Sequence, residues 1–74
     1  MNPGRTPQLF DLVAVLEPPP DEPVEIGDVG TVVEILSPDG VEVEFLDRTG
    51  RTRCVATLPV SNVLVLNRER SAAG

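Results

Sequence analysis

The chain has 74 residues, with twelve Asp and Glu against six Arg, no Lys and no His, giving a formal charge of −6. Its apolar share is 41%, and Phe10 and Phe45 are its only aromatics. That is material for one small domain with a core of Val, Leu and Ile. The charge balance excludes a basic strip able to track phosphates.

Residues 1–8 offer nothing that could pack and are expected to form a mobile tail. Leu9 to Leu16 is a short apolar run, and its length and valines favour a strand. The segment from Glu17 to Glu25 holds Pro18, Pro19, Pro20 and Pro23, a density that neither helix nor central strand tolerates. It predicts a stiff surface loop. Gly27 and Gly30 flank Asp28-Val29 and mark a corner where the chain turns into a second strand, Thr31 to Leu36.

Ser37-Pro38-Asp39-Gly40 suits a type I turn ending in a left-handed residue. It would pair Ser37 with Val41, Ile35 with Val43 and Val33 with Phe45. Val41 to Leu46 alternates, with Val41, Val43 and Phe45 inward and Glu42 and Glu44 outward. The turn Asp47 to Gly50 leads to a fourth strand, Arg51 to Leu58. A four-residue loop there would set Phe45 against Thr52, Val43 against Cys54, and Glu44 against Arg53 as a cross-strand ion pair. In these registers Val32, Leu36, Leu46 and Val55 point outward, forming an apolar patch unless closure of the sheet buries them. Pro59 to Val63 fits a 3₁₀ turn, and Leu64 to Leu66 a last short strand. Residues 68–74 are expected to fray.

Five short strands, a Pro-rich loop after the first and a 3₁₀ turn before the last predict an all-β fold over residues 9–67: a small five-stranded SH3-like barrel. Leu9-Phe-Asp-Leu-Val-Ala-Val-Leu16, Gly27-Asp-Val-Gly-Thr-Val-Val-Glu34, Val41-Glu-Val-Glu-Phe45 with Asp47 and Gly50, and Thr57-Leu58 with Leu64-Val-Leu66 resemble a family of short, mostly bacterial proteins designated domain of unknown function 4926. The resemblance implies an SH3-like fold and carries no assigned activity or residue roles. Val41 stands where that family commonly has an aromatic, and Arg53-Cys54 where it commonly has Tyr-Ala. Leu58 to Val63 also resembles the closing motif of signalling SH3 domains, but the Tyr and Trp cluster with which those grip Pro-rich peptides has no counterpart here.

Catalysis needs a nucleophile with a base, a metal, or paired carboxylates in a cleft. Cys54 is the only thiol, inward on its strand phase and without an imidazole to activate it. It cannot form an intrachain disulfide, and no His joins it in a zinc site. We therefore expect no enzyme, cofactor or metal, and a cytoplasmic protein. No apolar run could span a membrane and residues 1–9 are not a secretory signal.

The pattern with functional potential is acidic. Glu34, Glu42 and Glu44 share an outer face, Asp47 and the Asp21-Glu22-Glu25 loop extend the field, and Arg53 offsets part of it. The expected role is a protein-interaction or accessory module with a basic partner, monomeric or weakly self-associating. Two alternatives stand beside it: a ribosome-associated, KOW-like nucleic-acid barrel, which the acidity disfavours, and an antitoxin- or immunity-like partner of a neighbouring protein. The Pro18-Pro19-Pro20 loop is a second candidate surface, weighed against a plain rigid spacer.

Overall fold

The computed structural model describes residues 6–37 and 39–67, so the outermost tail residues and Pro38 lie outside the described part. Five antiparallel strands follow in order: β1 (Leu12–Val15), β2 (Val29–Ser37), β3 (Gly40–Leu46), β4 (Thr52–Pro59) and, after a 3₁₀ turn (Val60–Asn62), β5 (Val63–Asn67). They form one sheet in the order β4-β3-β2-β1-β5.

Strand β1 is shorter than the apolar run that encodes it. Leu9 and Phe10 form a turn, and Phe10 takes a left-handed φ of 70°. The Asp11 side chain explains the stop: it is buried, and its Oδ2 accepts the Gln8 N–H at 2.8 Å. The Phe10 N–H reaches the Val32 carbonyl at 2.7 Å, tying the turn to β2. Pro7, inside the expected tail, is buried.

The core joins Val13 and Val15 of β1, Val32 of β2, Val41, Val43 and Phe45 of β3, Ala56 and Leu58 of β4, Val63 of β5, and Val24 from the Pro-rich segment. Among the described residues no α-helix and no second sheet lies over this face. The core therefore lies on one face of the sheet, and Val24 from the 16–28 segment joins it there. The expected inward phase of β3 holds: Val41, Val43 and Phe45 are at most 1% exposed.

The registers differ from the simplest reading. Ser37 pairs with Gly40, Ile35 with Val41, Glu34 with Glu42 and Val32 with Val43, with irregularities between Val32 and Glu34 and between Ile35 and Ser37. These shifts turn Val32 inward and leave Ile35 43% exposed, the reverse of their expected sides. Gly40 is not left-handed; among the described residues the positive-φ glycines are Gly27 and Gly50. Between β3 and β4 the pairs are Leu46 with Thr52, Phe45 with Cys54, Glu44 with Val55 and Val43 with Ala56. Cys54 is part-buried and packs against the core, as its phase predicts. The slip from the expected pairing moves β4 by an even step, so its faces survive although its partners change. A bulge between Phe45 and Leu46 leaves Arg53 without a partner in the ladder.

Gly30 is where the sheet is tightest. A Cβ there would stand 2.6 Å from Val43 Cγ1, 2.7 Å from the Glu44 carbonyl oxygen and 2.9 Å from Phe45 Cδ1. At Gly27 the constraint is conformational, with φ at +89° and open space around the missing Cβ. Gly30→Ala should therefore cost about 1–3 kcal/mol through overpacking, and Gly27→Ala about 1 kcal/mol through strain alone. Urea unfolding of the two variants checks the order; a Gly30→Ala variant as stable as wild type contradicts it.

Candidate functional site

The strand registers bring three of the expected acids together. Glu34 sits directly opposite Glu42 across β2 and β3, and Glu44 follows two positions along β3, opposite Thr31 on one side and Val55 on the other. Like charges placed directly opposite in a sheet repel, so this arrangement works against the pairing it belongs to. Among the described residues no arginine forms an ion pair with any of the three. Glu44 does accept a hydrogen bond from the Thr52 hydroxyl on the same face.

Asp47 and Arg53 are placed differently. Asp47 organises the β3–β4 turn: its Oδ1 accepts the Thr49 N–H at 2.8 Å, the Thr49 hydroxyl at 2.7 Å and the Arg51 N–H at 3.1 Å. These donors favour the ionised carboxylate, the Thr49 side chain most of all, and hold its pKa below the ordinary value.

Arg53 does not pair with Glu44, because the register gives Glu44 to Val55 and the bulge re-aims Arg53. It turns towards the 16–28 segment instead. Nη1 donates to the Pro23 carbonyl at 3.1 Å, Nη2 meets Asp28 Oδ2 at 3.3 Å, and the guanidinium lies 5.8 Å from the Phe45 ring centroid. The same Asp28 oxygen accepts the Glu25 N–H at 2.9 Å, closing the turn that precedes β2. Glu22 Oε2 lies 3.4 Å from the Thr57 N–H of β4. The Pro-rich segment is thus held along β4 by Arg53 and Glu22. Asp28 was missed as a partner of β4 because nothing in the sequence marks Arg53 as a bulge residue, and Glu22 because its partner is a backbone N–H, that of Thr57.

Two open clefts flank this segment. One, of about 680 Å³, is lined by residues including Glu22, Glu25, Asp28, Phe45 and Arg53. The other, of about 670 Å³, lies between Pro18-Pro19-Pro20 and the Leu58-Pro59 end of β4. Neither holds a nucleophile with a base. Among the described residues no group of His, Cys, Asp and Glu is arranged to hold a metal ion, and no helix is long and apolar enough to cross a membrane.

Because folding lowers the Asp47 pKa, its stabilising contribution is present above the ordinary carboxylate pKa and lost as the pH falls through the lowered folded value. Asp47→Asn should remove that part of the acid dependence, flattening the fall of the melting temperature below about pH 4. An acid slope equal to wild type contradicts the assignment.

Comparison with curated proteins gave no match, and comparison with solved structures gave none. A family model does match, described as a domain of unknown function (DUF4926), over residues 9–65. That span runs from the turn before β1 into β5 and takes in the whole of β1 to β4, both glycines of the β2 corner and the three outer-face acids. With most of the chain so matched, the protein belongs to the DUF4926 family.

Proposed function

We propose that this chain is a non-enzymatic, cytoplasmic interaction module that docks a basic protein partner on the outer face of β2 and β3. The observation that carries the reading is Glu34 against Glu42, with Glu44 beside them and no arginine of the described residues paired to any of the three. A pairing that opposes folding is costly to keep, and a cationic partner would turn the same charges into complementarity. Charges so placed steer encounter and select the partner more than they set affinity. Asp47 and Arg53 belong to the supporting frame, one shaping a turn and the other clamping a loop.

The fold that presents this face is, in our reading, an SH3-like barrel. Its support is the strand order β4-β3-β2-β1-β5, the 3₁₀ turn before β5 and a core drawing on all five strands without a covering helix. In that reading Val24 of the 16–28 segment, a buried member of the core, fills the seam of the barrel.

The test is affinity capture from the native host with tagged wild type and with a Glu34→Gln, Glu42→Gln, Glu44→Gln variant. The variant should lose the basic proteins retained by wild type while melting at the same or a higher temperature, since relief of the opposed pair is worth about 0.2–1 kcal/mol. An identical captured set from both proteins sinks the proposal.

A further inference from the structure

The outer face has a second half, of opposite character. Strand β1, strand β5 and residues 29–33 of β2 contain no charged residue, in a chain that is 24% charged. On the outward side, Ala14 lies between Val29 and Leu64, and Leu12 lies beside Thr31. Leu12, Val29 and Leu66 remain 39%, 51% and 48% exposed. Just before β1 stands Phe10, 68% exposed and with a left-handed backbone. A bulky residue at positive φ is strained, and an exposed aromatic forgoes burial. Phe10 carries both costs together, which is the behaviour of a retained binding anchor.

The apolar half and the acid rows are continuous. A single line of cross-strand neighbours runs Leu12, Thr31, Glu44, Val55 across four strands. Leu12 and Glu44 are two strand spacings apart, about 10 Å, which is the width of one α-helix with its side chains, about 10–12 Å. We infer that the two halves form one composite surface for a basic amphipathic helix of a protein partner. Its apolar stripe seats on Phe10, Leu12 and Val29, and its Lys or Arg flank meets Glu34, Glu42 and Glu44. Charge complementarity selects this occupant over a second copy of the chain, which would bring another −6 and another set of opposed glutamates. The inference rests on the docking reading above and adds the source of affinity and the shape of the partner.

The probe is a synthetic peptide of Leu and Lys, about eighteen residues long so that it holds a helix, with Lys along one flank. A second peptide has the same composition with the residues scattered. Fluorescence anisotropy should show the amphipathic peptide binding wild type at least ~10-fold more tightly than the scattered one, with a Phe10→Asn, Leu12→Ser variant losing ~10-fold. Asn tolerates the left-handed backbone, so Phe10→Asn alone should melt no lower than wild type. Leu36→Ser, at the far end of β2, should leave affinity unchanged.

Equal binding of the two peptides, or no effect of the Phe10 and Leu12 changes, overturns the composite surface while leaving the acid-face reading intact. If the triple Glu→Gln variant keeps both affinity and salt dependence, the acid-face reading itself fails. Light scattering should show a monomer. A dimer that Phe10→Asn dissolves means that a second copy occupies the face, and the helix assignment is wrong.

Discussion

At Gly30 the backbone of β2 comes so near the interior side of β3 that any side chain would collide with Val43, Phe45 and the Glu44 carbonyl. Much of the molecule depends on that approach. With Gly30 against them, Val43 and Phe45 close over a gap that a larger residue would hold open, and Val32, two positions on, enters the same interior. The next residues pass through two irregularities, and each shifts which side chain faces water. The outward pairing of Glu34 with Glu42 is a product of those shifts. Core and acid face are two results of one register.

The second dependence is on the Pro-rich segment. Prolines keep it out of the sheet, yet it is part of the core through Val24 and of the β4 frame through Glu22, Pro23 and Asp28. Arg53 joins these pieces by cation–π contact, hydrogen bond and ion pair, all at partial exposure, so each contact is individually weak. Their combined value lies in fixing the segment along β4, beside a sheet whose strands run 4 to 9 residues. The bulge that frees Arg53 from the ladder is what makes the contact possible.

Much of this was legible in the sequence. Strict alternation in Val41 to Phe45 marked the inner side of β3, a β-branched run marked β2, the Asp47 to Gly50 turn marked the start of β4, and the short Pro59 segment marked the 3₁₀ turn. The registers were less legible, because pairing from turn length assumes regular strands, and three irregularities intervene. An even slip in β4 left Cys54 on its expected side and only exchanged neighbours; the irregularities in β2 reversed Val32 and Ile35. The three outer glutamates were visible by phase alone. Phe10 was not: in an apolar run it reads as core, and only the backbone reversal set by Asp11 turns it out to water. Arg53 was misplaced for a similar reason, since a bulge residue has no sequence mark of its own.

The account gives the outer face a division of labour. In the role we propose, opposed glutamates govern approach and choice of partner and the charge-free apolar half with exposed Phe10 supplies contact, the glutamate pair being set by the β2–β3 register. Nuclear Overhauser contacts between β2 and β3 in isotopically labelled protein test that register most directly. The account predicts cross-strand contacts between Val32 and Val43 and between Glu34 and Glu42. Contacts between Ile35 and Val43 and between Val33 and Phe45 would mean a regular ladder, and would contradict it.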